Sequence, residues 1–296
     1  MSAVLTIENL DLSIRYAGRN QPILRGINLA LRRGEVHGLV GESGAGKSML
    51  GRVILDIMPS TATIDSGRIH FNGKDWLGLS RKQKRRCLGL EITLIPQDPM
   101  TSLNPVRRVK DQIEDTLRFQ LKLTRSEAKD RALELLEEVY VRNPQRVLRQ
   151  FPHELSGGMR QRVLIAIAFC CQPALIIADE PTTALDVSVQ RQILRLIREL
   201  QINSGTSILF ITHDLGVVAK ICDHVSLIHT GRILETGPAE KIFGAPEHEY
   251  SRALIQATPR YDRPSDDFTP VPTELTARLR NEALIYDRRR LERPNA

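Results

Sequence analysis

Apolar residues gather at Val4–Ile7 and again at Leu12–Tyr16, on either side of a polar stretch. This pattern predicts two short strands split by a turn. Gly26–Leu31 reads as a further strand, and Glu35–Val40 as a buried one. The period then changes. After the glycine-rich Gly41–Lys47, the residues Met49, Leu50, Val53, Ile54 and Ile57 recur at helical spacing, which predicts a helix over Ser48–Ile57. Arg68–Phe71 followed by Asn72-Gly73 has the form of a hairpin strand and its turn. Glu91–Ile95 is another strand. From about Leu103 to Phe151 the pattern is mainly helical. It is clearest at Glu127–Val139, where Ala128, Ala132, Leu133, Leu135, Leu136 and Val139 lie among charges. Leu175–Ala178 is a short apolar strand that ends in Asp179-Glu180. Gln190–Gln201 is an amphipathic helix, and Ser207–Thr212, Val225–His229 and Arg232–Glu235 are late strands.

Strands alternating with helices imply an α/β fold with a mainly parallel core, interrupted by an inserted helical subdomain. The expected division is a domain over 1–258, with the helical subdomain at about 103–165, and a C-terminal extension over 259–296. Within the extension, Pro259–Pro272 is rich in proline and acidic residues and reads as a linker, and Thr273–Arg290 reads as one helix.

Composition narrows the setting. The chain of 296 residues is 41% hydrophobic, enough for a substantial core. Its net charge of +7 is concentrated locally: nine basic and three acidic residues fall between Lys74 and Lys110, densest at Arg81, Lys82, Lys84, Arg85 and Arg86. Such a run fits a solvated helix face first, an acidic membrane surface second and nucleic acid third. Cys87, Cys170, Cys171 and Cys222 form no C-x-x-C pair, and Cys170-Cys171 sits in an apolar run, so buried thiols in a reducing compartment are expected. Met1–Asn9 has no basic flank or cleavage site, so no secretory leader is expected. The longest apolar run, Val163–Cys171, is too short to span a bilayer. Any membrane span must come from other chains.

Gly41-Glu42-Ser43-Gly44-Ala45-Gly46-Lys47-Ser48 matches G-x-x-x-x-G-K-[ST] in full. In such a loop the small residues Gly41, Ser43, Gly44 and Gly46 let backbone N–H groups turn inward around phosphate oxygens. Lys47 reaches the β- and γ-phosphates, and the Ser48 hydroxyl ligates Mg²⁺. The apolar strand Leu175–Ala178 fixes Asp179 at its carboxyl end, where a hard oxygen ligand can hold Mg²⁺, here through water. Glu180 follows at once and points in a different direction, as suits a carboxylate that polarises the attacking water. These two motifs specify an NTPase without saying which kind.

Leu155-Ser156-Gly157-Gly158-Met159-Arg160-Gln161-Arg162 resembles the LSGGQ signature of ABC ATPases. Ser156, Gly157 and Gly158 open a helix whose free N–H groups suit an anion. The resemblance implies that they face the γ-phosphate held by the other subunit of a dimer. It also makes Gln97 the Q-loop glutamine that contacts Mg²⁺, Ala184-Leu185-Asp186 the D-loop, and His213 the switch histidine. Tyr16 is the candidate that stacks on adenine; a strand tyrosine is also common core material. The implied fold is a P-loop NTPase core of the RecA-like kind, with an N-terminal antiparallel β subdomain and the inserted helices.

The strings QDPMTSLNP (97–105), PHELSGGMRQR (152–162), ADEPTTALDV (178–187) and ITHDLGVVA (211–219) are similar to the ATPase subunits of oligopeptide, dipeptide and nickel importers. Pro246-Glu247-His248-Glu249-Tyr250 is similar to that group's P-x-H-P-Y segment, with Glu249 in place of proline. The likeness runs from about residue 3 to 260, and Thr273–Ala296 matches nothing recognisable. No cysteine follows Cys222, unlike the cysteine-rich tails of many peptide-importer subunits. The resemblance implies ATP and Mg²⁺ as cofactors, and transmembrane permease subunits and a second ABC ATPase subunit (a paralogue or a second copy) as partners. It implies an extracytoplasmic solute-binding protein as an indirect partner, no nucleic acid, and a peripheral place on the cytoplasmic face of the cell membrane. Peptide is the first expectation for cargo, then nickel or another small solute. Exporter ATPases share the cassette chemistry but not these strings. Soluble repair ATPases need a longer insertion than the chain between Lys47 and Ser156 allows.

Overall fold

The computed structural model describes residues 2–183, 185–258 and 270–292. In chain order the elements begin with β1 (Ala3–Tyr16), β2 (Arg19–Arg32), β3 (Val36–Val40), α1 (Lys47–Ile54), β4 (Ala62–Phe71) and β5 (Lys74–Asp75). Then come α2 (Arg81–Cys87), β6 (Ile92–Ile95), α3 (Pro99–Ser102), α4 (Val109–Leu121), α5 (Arg125–Glu138), α6 (Pro144–Arg149), α7 (Gly157–Phe169), β7 (Leu175–Asp179) and α8 (Val187–Ser204). The last are β8 (Ser207–Thr212), α9 (Leu215–Ile221), β9 (His224–His229), β10 (Arg232–Pro238), α10 (Ala239–Gly244), α11 (Glu249–Gln256) and α12 (Thr273–Leu291). They fall into two compact units, Met1–Leu79 with Leu209–Ala296, and Ser80–Ile208.

In the first unit, the two apolar stretches expected as separate strands form the single strand β1. Asn9 takes a φ of 46°, and the pairing with β2 slips between Ile7 and Leu10 and again between Leu10 and Leu12. These bulges absorb the polar residues that the sequence pattern reads as a turn. The antiparallel sheet runs β2-β1-β4-β5. Leu5 pairs with Leu31 on one side and Phe71 on the other, and all three are buried. Asn72-Gly73 makes the expected tight turn, with φ of 50° and 76°.

Beside this sheet in the sequence lies β3, buried at every residue, which pairs in parallel with β9; β9 pairs antiparallel with β10. The C-terminal helices α11 and α12 share an apolar cluster of Tyr250, Leu275 and Leu279, with Leu234 and Leu254 against it. The expected helix over Thr273–Arg290 is α12. The linker expected over Pro259–Pro272 lies mostly outside the described residues, as does Ala184.

In the second unit, β6 and β7 pair in parallel, Ile95 beside Ala178. The helical stretch resolves into α4, α5 and α6. Val109, Ile113 and Leu117 of α4 and Ala128, Ala132, Leu135 and Leu136 of α5 are buried where these helices pack. A reciprocal cap between Thr124 and Glu127 opens α5. The basic run forms α2, none of whose residues is buried, in keeping with a solvated face. Cys170 is buried, but Cys171 is only half-buried; their sulfurs stand 3.5 Å apart as free thiols. Among the described residues no helix is long and apolar enough to cross a membrane.

Candidate nucleotide site

The loop Gly41–Ser48 joins β3 to α1 within the first unit. Its glycines are steric necessities at two points. A Cβ on Gly41 would stand 2.0 Å from the Ile228 carbonyl oxygen, and Gly46 holds a φ of +104°. Gly46 is also the cap residue of α1 and has no side chain to satisfy the first N–H groups of the helix. That leaves the positive end of the helix dipole facing the loop. Ser43 and Gly44 are exposed, so this concavity opens to solvent. Lys47 is buried and folds back over the loop, where its Nζ donates to the carbonyl oxygens of Gly41 at 2.7 Å and Glu42 at 2.9 Å. The ammonium thus draws the loop around a cation, next to the positive end of α1, a setting that suits a polyanion.

Two further sequence candidates lie in the same unit. Tyr16 ends β1 before the turn at Ala17 and Gly18, and it is 67% exposed. It is therefore not core material. His213 is exposed just past β8, in a link fixed on both sides: the Asp214 backbone N–H donates to Thr212 Oγ1 at 3.0 Å, and Asp214 then caps α9.

The second unit carries the others. At the end of β7, Glu180 leaves the strand with a φ of 46°, a conformation uncommon for residues with a side chain and concentrated at functional positions. Gln97, distant in sequence, donates from Nε2 to Glu180 Oε2 at 3.0 Å. Thr183 donates from Oγ1 to that same oxygen, also at 3.0 Å. The structure thus joins two sequence candidates, Gln97 and Glu180. It adds Thr183, whose only signal in the sequence is a hydroxyl one turn beyond the carboxylate. Asp179 closes β7, half-buried.

Ser156 is exposed and caps α7, its Oγ accepting from the Met159 backbone N–H at 3.3 Å. Gly157 and Gly158 form the first turn, and a Cβ on Gly158 would stand 3.0 Å from Val189 of α8. The signature is held on both flanks. The buried Arg160 donates to the Pro152 carbonyl oxygen at 2.6 Å, and Arg162 donates to the Val139 carbonyl oxygen and the Gln192 side chain. Asp186 caps α8 through the N–H groups of Ser188 and Val189. The Val189 bond first, then the Ser188 hydroxyl, holds its carboxyl below the usual carboxylate range. Asp98, next to Gln97, is likewise lowered by the Met100 N–H and the Thr101 hydroxyl. Among the described residues no group of three or more His, Cys, Asp or Glu could hold a metal by itself.

Comparison with known proteins agrees with this geometry. The ABC transporter family profile matches residues 24–183, and the profile of the oligopeptide/dipeptide transporter C-terminal region matches 234–283. The second match carries the likeness past residue 260 and into α12, beyond what the sequence strings alone suggest. The chain is 40% identical to the dipeptide transport ATP-binding protein DppD of Bacillus subtilis, over 97% of this chain and 90% of that one. It is 46% identical to the peptidoglycan transport ATP-binding protein YejF of Agrobacterium fabrum over 89% of its own length, but spans only 48% of that longer relative. The solved structure of cbiO1 from Clostridium perfringens, part of the ABC transporter complex cbiONQ, superposes with a TM-score of 0.70 at 29% identity, over 83% of this chain and 92% of that one. Fold, motifs and relatives place the chain in the ABC transporter family, as an ATPase cassette of its oligopeptide/dipeptide branch.

Proposed function

We propose that this chain binds ATP at Gly41–Ser48, hydrolyses it together with a second cassette, and so drives an importer of peptides. The observation that carries the reading is the loop itself, an uncapped helix start with Lys47 folded across it. The peptide cargo rests on the likeness to dipeptide and oligopeptide transport ATPases.

The residues divide the work as follows. Tyr16 offers a solvent-facing ring on which adenine can stack. The N–H groups of the loop, with Gly41, Ser43, Gly44 and Gly46 keeping it open, bind the phosphates. The Lys47 ammonium has several donors, so it can exchange a carbonyl partner for a phosphate oxygen. Ser48, Gln97 and Asp179 are the oxygen donors for Mg²⁺. So few protein ligands fit an ion that also uses water and phosphate oxygens. Bound there, Mg²⁺ would neutralise charge on the phosphates. Glu180 takes the proton of the attacking water, held in place by Gln97 and Thr183, and His213 contacts the γ-phosphate.

Ser156, Gly157 and Gly158 serve a nucleotide held by the other cassette. The Ser156 side chain keeps the Met159 N–H, which leaves those of Gly157 and Gly158 for phosphate. A paralogous subunit is favoured as that partner over a second copy. Closure around ATP is a population shift set by the nucleotide, passed to permease subunits through the helical segment 103–151. The proposed organisation is a cassette over 1–258, with helices inserted at about 103–165, and an extension over 259–296. It sits peripherally on the cytoplasmic face of the membrane, with a solute-binding protein acting outside. Vesicles containing the permease, the binding protein and both cassettes provide the test. Labelled peptide should accumulate only with ATP and not with Lys47→Ala. Equal uptake with and without ATP would contradict the proposal.

A further inference from the structure

The segment Pro246-Glu247-His248-Glu249-Tyr250 has no part in the chemistry above, yet its tyrosine lies behind the phosphate loop. Tyr250, in the first turn of α11, is fully buried. Its ring meets that of His229, the last residue of β9, at a centroid distance of 4.5 Å and a tilt of 47°. His229 is also buried, and its Nδ1 lies 3.7 Å from Oε2 of Glu42, the second residue of the loop. Neither ring nitrogen of His229 nor the Tyr250 hydroxyl has a hydrogen bond of ordinary geometry. Both nevertheless respond to the Glu42 carboxylate. After burial, the Glu42 charge raises the Tyr250 hydroxyl further, so it stays a donor; burial lowers His229, opposed by Glu42 and reinforced by Arg280.

Buried polar atoms without partners are costly, and a cluster selected for packing alone would carry phenylalanine here. Among the described residues Glu42 is the acceptor that acts on both Tyr250 and His229, and its side chain is 44% exposed. A second route joins the same elements. The Gly231 N–H donates to the Ala45 carbonyl oxygen in the loop at 3.0 Å. Arg25 then grips that turn, with its backbone N–H on the Gly231 carbonyl oxygen at 2.8 Å and its Nη1 on that of Thr230 at 2.7 Å. The same guanidinium makes a paired bond to Asp287 of α12, at 2.8 and 3.0 Å.

We infer that Glu42, His229 and Tyr250 are positioning residues through which the C-terminal helices hold the phosphate loop from behind, so that the grip on ATP depends on α11 and α12. This rests on the proposal that the loop is the ATP site. With Glu42 turned in to accept from Tyr250 and His229, the loop backbone is fixed with its N–H groups inward. With Glu42 turned out, the loop is looser and its affinity lower.

The test uses the full chain, a fluorescent ATP analogue and thermal melting. Tyr250→Phe and His229→Phe keep an aromatic ring and remove only the polar atoms. Each should weaken nucleotide binding about tenfold, the lower end of the scale of one hydrogen bond to a charged group. Glu42→Ala should weaken it similarly, and combining it with Tyr250→Phe should add little, because the two changes break one interaction. Without nucleotide, where those atoms have no partner, the melting temperatures of the phenylalanine variants should hold or rise. A merely structural role would show the reverse, with lower melting and unchanged affinity, and would overturn the inference. Lys47→Ala separates the two claims. If it binds as the parent does, the loop is not the ATP site and the inference falls with it. If it loses binding while Tyr250→Phe and His229→Phe retain full affinity, the inference alone is overturned.

Discussion

Replacing Glu180 by glutamine separates its chemical role from its structural one. Gln97 and Thr183 both donate to Oε2 of Glu180, each at 3.0 Å. A glutamine whose amide oxygen takes the Oε2 position accepts both bonds, and its NH₂ occupies the place of the other oxygen. What is lost is the charge on that acceptor. A hydrogen bond to a charged group contributes about 1 kcal/mol more than one between neutral groups, and partial exposure here reduces the difference. The stability cost is therefore on the order of 1 kcal/mol, which in a chain of this size moves the melting temperature by about 2–4 °C. The chemical loss is larger. Removing a general base slows turnover by about 10²–10⁴-fold, or roughly 3–5 kcal/mol of barrier. Glu180→Gln should therefore fold, bind ATP at least as well as the parent, since one negative charge is gone, and scarcely hydrolyse it. Calorimetric melting, nucleotide titration and steady-state phosphate release measure the three quantities. Phosphate release at the parental rate would move the base elsewhere. A chain that lost ATP binding or melted far below the parent would make Glu180 a structural residue.

Two other outcomes follow from the loop and its support. Lys47→Ala should abolish most ATP binding, because the phosphates lose their main cation; equal titration curves for mutant and parent would remove the loop from the site. Stability should also fall on acidification. Burial depresses His229 below its ordinary value of 6.5, with Glu42 opposing and Arg280 adding, and Tyr250 packs against its ring. A depressed native value means that the unfolded chain binds the proton first. The contribution is therefore complete above pH 6.5 and is lost as pH falls from there through the native value. Denaturant midpoints should drop over that window in the parent and drop less in His229→Phe. Parallel profiles for the two would show that His229 does not titrate on unfolding.

What the sequence made legible was local. The loop Gly41–Ser48, the start of α1 and the cap at Ser156 each depend on neighbours a few residues away, and their residue types state the geometry directly. The residue pattern splits β1 in two because the strand's continuity comes from β2 and β4, whose pairing carries the bulges across Asn9. No residue pattern joins Gln97 to Glu180, which are 83 positions apart. Their shared role was implied only by likeness to the family. Thr183 carries no signal of its own, because a threonine after a strand has many uses. The helix α12 was visible by its composition. Its attachment was not, since Asp287 meets Arg25 and Tyr286 meets Asp11 across almost the whole chain.

The dependence of hydrolysis on a second cassette tests most directly the claim that this chain is one half of a transport motor. It holds a phosphate loop and a signature helix, and the proposal assigns them to different nucleotides. ATP turnover per molecule should be measured against protein concentration, for the chain alone and mixed with its paralogous cassette. The expected result is a negligible rate for the dilute chain that climbs with concentration and climbs further with the paralogue. A full rate that does not change with concentration, from a proven monomer, would contradict the shared site.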